Sequence, residues 1–192
     1  MQSVHWEICG GSCSPSTRRY REAPGSPSPT ALGVGWYIRP VTLDLHAELR
    51  NIVEALDAAG IAYALVGGLA VSIYAVPRAT EDVDLLLGRE HLLPTVERLA
   101  SLGFRRAGTP MSVAGGRLHI QRLIKIDGSD LVPVDLLIPN DPALAALLAG
   151  RECVAWEGGR LSIVSLPGLR ALKRLRGSAQ DLADLEALGP EA

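Results

Sequence analysis

Two acids one residue apart, Asp82 and Asp84, stand at the mouth of the apolar run Leu85-Leu86-Leu87. Side chains alternate along an extended strand, so both carboxylates point one way while Val83, Leu85 and Leu87 point the other. Like charges held that close repel, and a fold keeps them where something positive sits between them. A hard divalent cation takes carboxylate oxygens and, as Mg2+, keeps room for substrate phosphates. Upstream, Gly67-Gly68 ends a short apolar run, and residues without Cβ let backbone N–H groups come close to a phosphate. A third acid, Asp135, lies between Val134 and Leu136. Taken alone it reads as a solvent-facing residue on an edge strand; beside Asp82 and Asp84 it reads as a third member of the same site.

Two cationic features are open to two readings each. Arg170, Lys173, Arg174 and Arg176 concentrate positive charge ahead of Ser178. They form either a solvated helix face or a cluster that closes over triphosphate or RNA phosphates. Arg78, following Pro77, is either a phosphate contact or a surface arginine.

These residues need elements to hold them. Thr42 is a suitable cap for a helix running to about Ala59, with Leu45, Leu49, Ile52, Val53 and Leu56 on one face and Gly60 as its stop. Residues 61–66 read as a buried strand, and residues 69–75 as a short helix whose N-terminus faces the glycine turn, where an anion meets free N–H groups. Residues 83–87 make the second strand, and residues 90–101 a helix with Leu92, Leu93, Val96 and Leu99 inward. Alternation from Arg117 to Ile126, a turn at Asp127-Gly128 and a return over residues 131–138 predict a hairpin. Pro133 argues for a strand start or an edge position there. A helix over residues 141–149, a strand pair over residues 153–164 turning at Gly158-Gly159, and helices over residues 167–175 and 178–188 complete the chain. Pro167 suits a first helical turn, and Ser178 with Asp181 forms a capping box.

Composition excludes several classes. The 192 residues suffice for one domain, and an apolar share of 47% against 21% charged is globular. A net charge of −2 gives no global pull on nucleic acid, so such a partner needs a local patch. Cys9, Cys13 and Cys153 form no disulfide framework, which suits a reducing cytosol and a cytoplasmic location. The uncharged stretch 61–76 is too short to span a membrane and is split by glycines, so no membrane partner is expected. Residues 1–40, rich in Ser, Pro, Arg and Gly, read as a disordered or poorly ordered tail ahead of a domain over 41–192, whose C-terminal helices start near 165. His5, Cys9 and Cys13 share a helical spacing, but Gly10-Gly11 interrupts it and no fourth ligand is near. Residues 36–41 are a short strand or the tail's docking point.

The ordered set Gly67-Gly68, Asp82-x-Asp84 and a later apolar-flanked Asp135 resembles the signature of the minimal nucleotidyltransferase superfamily. VGGLAVSIYAVPRATEDVDLLL with LPGLRALKRLRGSAQDLADLEAL is similar, more narrowly, to the AbiEii/AbiGii-type (MenT-like) nucleotidyltransferases, toxin halves of bacterial toxin–antitoxin and phage-defence systems. The resemblance implies an α/β, polymerase-β-like mixed sheet flanked by helices, with a small C-terminal helical segment. It implies an enzyme of the EC 2.7.7 type that moves a nucleoside monophosphate from an NTP to an acceptor hydroxyl, RNA and often the tRNA 3′ end, with a cognate antitoxin as partner. Asp82 and Asp84 would hold two Mg2+ ions, with Mn2+ as an alternative, and Asp135 would complete the catalytic metal site and help deprotonate the acceptor. Gly67 and Gly68 would cradle the β- and γ-phosphates, Lys173 would neutralise the triphosphate, and Asp181 or Asp184 would orient that lysine or the substrate. Replacing Lys173 by alanine is then expected to weaken nucleotide use without unfolding the domain. Many superfamily members carry Gly-Ser where this chain has Gly67-Gly68. Two other functions remain beside this one: an antibiotic nucleotidyltransferase of the aminoglycoside or lincosamide type, and a catalytically idle nucleotide- or partner-binding module.

Overall fold

A computed structural model describes residues 7–9, 43–75, 77–156 and 159–190. The first helix, α1 (Leu45–Ala58), buries Leu49, Ile52, Val53 and Leu56, an i, i+3, i+4, i+7 stripe. Each such side chain contributes about 1.5–3 kcal/mol on leaving water. Its cap is Asp44, whose carboxylate accepts from the His46 N–H; the expected cap, Thr42, lies outside the described residues. Gly60, at φ +65°, lets the chain turn out of the helix. Glu48 of α1 is buried and accepts from Lys125 Nζ at 2.7 Å, which ties the helix to the sheet.

The sheet contains β1 (Glu7–Cys9), β2 (Tyr63–Val66), β3 (Val83–Leu87), β4 (Arg105–Arg106), β5 (Met111–Val113), β6 (Leu118–Asp127), β7 (Asp130–Pro139), β8 (Glu152–Trp156) and β9 (Gly159–Ile163). Their order is β1-β8-β9-β2-β3-β7-β6-β4, with β5 also on β6. The pairs β2–β9 and β3–β7 are parallel and the others antiparallel, so the sheet is mixed, as expected. Helices α2 (Gly67–Tyr74), α3 (Leu92–Ser101), α4 (Pro142–Ala149), α5 (Leu166–Arg176) and α6 (Ala179–Ala187) cover it. Among the described residues no helix is long and apolar enough to cross a membrane.

Several local expectations are corrected. Part of the presumed tail, β1, is an edge strand on β8; His5, Cys13 and residues 36–41 lie outside the described residues. The helix after Gly88 opens with a 3-10 turn, Arg89–His91, before α3. That rotates the inward face: Leu93 is 62% exposed and Thr95 takes a buried place. Ile126 also faces solvent, because the β6–β7 hairpin runs out beyond the core toward its Gly128-Ser129 turn. The expectation for Pro133 holds locally, although β7 as a whole lies between β3 and β6. The proline is tolerated because β3 joins only from Val134 onward, so at position 133 the strand has a partner on one side alone. The tip of the β8–β9 turn falls outside the described residues.

Candidate active site

Leu85, Leu86 and Leu87 are fully buried, which fixes β3 in the middle of the sheet and leaves its first turn of side chains at the sheet's end. There Asp84 pairs with Asp135 of β7 in the parallel ladder, so the two acids stand side by side on one face. Asp82, two residues earlier, returns to that face. One carboxylate oxygen from each of Asp82, Asp84 and Asp135 lies within 4.8 Å of those of the other two. Asp84 and Asp135 are each 6% exposed and Asp82 is half-buried, its Oδ1 accepting from Thr80 Oγ1 at 2.8 Å.

Burial pushes the Asp84 carboxyl up to about 7, and the charges of Asp82 and Asp135 add to the rise; Arg176 and Lys173 pull the other way. A crowded set of oxygen donors whose charge is incompletely balanced fits a hard divalent cation by donor chemistry. The three acids are the residues that would hold it.

The glycine turn is built into this cluster. Gly67 opens α2 at φ +68°, and a Cβ there would lie 1.7 Å from Asp84 Oδ2. The residue is glycine because an acid occupies the space a side chain would need. A Cβ on Gly68 would fall 2.6 Å from Thr80 Oγ1 and 2.7 Å from Arg78 Nη2. Those two side chains fill the place where other chains with Gly-Ser carry a hydroxyl. The short helix begins at Gly67 itself rather than at Leu69.

Behind the turn lies a network of charge. Lys173 is buried, with Nζ 2.6 Å from Asp184 Oδ2 and 3.2 Å from Asp181 Oδ1. Arg176 grips Asp181 with Nε and Nη2, both at 2.8 Å. Arg78 Nε lies 3.0 Å from Asp184 Oδ1, joining the loop before β3 to α6. Burial by itself would raise the Asp181 carboxyl; the Arg176 fork and the Ser178 hydroxyl outweigh it and hold it well below the usual range. Burial likewise opposes, and Lys173, Gln180 and Arg78 overcome, at Asp184, which is also lowered. The capping box at Ser178 and Asp181 is present in both directions.

The basic run therefore divides. Arg170 is buried and donates to the carbonyls of Leu188, Gly189 and Pro190, closing the end of α6 rather than facing a ligand. Lys173 and Arg176 line a cleft that also meets Gly67, Asp84 and Asp181, with an apolar wall from Val113, Leu118, Ile120 and Leu172. Arg78 is paired with Asp184, and its side chain keeps 30% of its surface exposed.

Sequence reading missed Arg122. It stands opposite Asp135 in the β6–β7 ladder and donates from Nε and Nη2 to both carboxylate oxygens at 2.7 Å. Its signal was available: it is the charged interruption in the apolar alternation Leu118, Ile120, Ile124, Ile126.

The sequence matches no family profile and no curated protein. Among solved structures, the chain is similar to ANT(2″)-Ia in complex with adenylyl-2″-tobramycin, with a TM-score of 0.51 and 16% identity over 74% of this chain and 86% of that one. It is also similar to TM1012 of Thermotoga maritima, a candidate nucleotidyltransferase, with a TM-score of 0.53 and 17% identity over 73% and 89%. At such identities the likeness is one of fold, and the nucleotidyltransferase fold expected from the motifs is the fold observed. It does not reach the narrower AbiEii/AbiGii resemblance.

Proposed function

We propose that the protein is a metal-dependent nucleotidyltransferase that moves a nucleoside monophosphate from an NTP to an acceptor hydroxyl. The observation that carries this reading is the convergence within 4.8 Å of Asp82, just ahead of β3, Asp84 of β3 and Asp135 of β7. Asp82, Asp84 and Asp135 would hold divalent ions, Mg2+ or Mn2+, which when bound would neutralise charge at the α-phosphorus and at the departing oxygen. The acceptor oxygen forms a bond to the α-phosphorus, the bond to the β-phosphate oxygen breaks, and pyrophosphate leaves. Asp135 receives or relays the acceptor's proton. Gly67 and Gly68, at the N-terminus of α2, bring backbone N–H groups toward the β- and γ-phosphates. Arg176, forked onto Asp181, and Lys173 both line the cleft; Lys173 also pairs with Asp181 and Asp184 and holds α5 and α6 in register beside the turn.

RNA is the acceptor we favour, with the protein serving as the toxin of a bacterial toxin–antitoxin or phage-defence pair and an antitoxin as its partner. The AbiEii/AbiGii-like wording supports this, and so does an exposed arginine at the sheet edge. Arg105 of β4 pairs with Ile124 of β6 and by register shares the face of Asp135. It offers a backbone phosphate a contact beside the acids. A small drug is the second acceptor, favoured by the fold it shares with the tobramycin-modifying neighbour.

The test is transfer. With Mg2+, total RNA and each labelled NTP in turn, label is expected on RNA with one or two NTPs and lost on Asp82→Ala or Asp135→Ala. Label appearing on an aminoglycoside or lincosamide alone moves the acceptor to the drug. Nucleotide binding with no transfer to any acceptor leaves a binding module.

A further inference from the structure

Arg122 has no part in the reaction just described, yet its side chain is aimed at the centre of the site. Its fork engages both oxygens of Asp135 at 2.7 Å, a charge-assisted, two-pronged contact. The two partners differ in freedom. The Asp135 side chain is 9% exposed and fixed on an interior strand, whereas the Arg122 side chain is 42% exposed. Aspartate cannot leave without disturbing β7; arginine can swing into solvent at little packing cost. A carboxylate gripped on both oxygens has one lone pair of each engaged by the guanidinium and its charge already balanced.

We propose that Arg122 is a resident counter-cation, which closes the third carboxylate while no divalent ion is bound and swings aside before Asp135 becomes a ligand. The inference rests on reading the three acids as a metal centre. Metal binding is then an exchange of one cation for another. The observed affinity is the intrinsic one reduced by the fraction of molecules in which the arginine has let go. The rival role makes the opposite prediction: an Arg122 that orients Asp135 for the ion would support binding, and its removal would weaken it.

Mn2+ alone, titrated calorimetrically into the full chain without nucleotide, separates these. Arg122→Gln is expected to bind about tenfold more tightly than the original protein, since one strong charged contact no longer competes. Arg122→Lys, which keeps charge but loses the planar fork, should fall between, and it carries the comparison if the glutamine variant melts early in EDTA. In an Asp135→Asn background Arg122→Gln should no longer tighten binding. Unchanged or weaker binding by the single variants overturns the proposal, as does equal tightening in the Asp135→Asn background, which would mark a long-range charge effect. Absence of Mn2+ binding by original and variant alike would remove the metal-centre reading along with it; binding that ignores Arg122 removes only the exchange.

Discussion

Gly67 and Asp84 occupy what would be one volume: a Cβ on the glycine would overlap the Asp84 carboxylate at 1.7 Å. The glycine is therefore as much a part of the acid site as of any phosphate cradle. Gly67→Ala forces a non-glycine residue to φ +68°, costing about 1–2 kcal/mol, and pushes Asp84 out of line with Asp135. Divalent-ion affinity is expected to fall further than stability does. Mn2+ titration beside chemical denaturation of the same variant checks this, and an alanine variant that binds Mn2+ normally would show the carboxylate to have room.

At Gly68 the obstruction is Thr80, whose hydroxyl holds Asp82. Installing a serine at this position should displace Thr80 and release Asp82, so Gly68→Ser alone is expected to lower transfer activity. Thr80→Ala, which removes the same hydroxyl without the clash, should lower transfer to a similar degree. Full activity of Gly68→Ser would mean that Thr80 shifts freely.

Lys173 is expected from its surroundings to be a stability residue before it is a nucleotide residue. Removing it leaves Asp181 and Asp184 buried with reduced compensation, and taking one partner from a buried ion pair costs about 3–5 kcal/mol. Arg176 and Arg78 remain on the two acids and place the loss at the lower end. This revises the expectation that Lys173→Ala leaves the domain intact. Urea denaturation measures the change; a loss below about 1 kcal/mol would return Lys173 to the role of a triphosphate ligand.

What could be read from the sequence follows the range of each interaction. Asp82 and Asp84 are joined by strand alternation, a local rule, and the apolar run after them announces a buried strand. Asp135 was reachable because Val134 and Leu136 flank it in the same way. Pro133 marked a position paired on one side alone, but nothing near it in sequence says that β3 joins one residue later and makes the rest of β7 interior. The arginines misled for the same reason: Arg170 and Arg176 look alike in the run Arg170 to Arg176, but one meets the carbonyls ending α6 and the other meets Asp181. Arg122 was hidden because its partner lies across a hairpin, and only the register Arg122↔Asp135 sets them opposite.

Two groups of acids give the metal-free protein opposite responses to pH. Asp84, raised to about 7, binds a proton more tightly folded than unfolded. Stability therefore falls as pH climbs from about 4 to about 7, by at most about 1.4 kcal/mol per unit. Asp181 and Asp184 are lowered, so their contribution is present above the ordinary carboxylate range and is lost as pH drops below about 4. In EDTA the melting temperature should therefore peak at about pH 4 and decline on either side of it. Divalent ions compete with the proton on Asp84, so their affinity should rise as pH passes 7, and saturating Mn2+ should flatten the upper limb. Asp84→Asn should flatten that limb without metal, while Asp181→Asn should blunt the acid limb and leave the upper one in place. An upper limb that survives Asp84→Asn would assign the proton to another group.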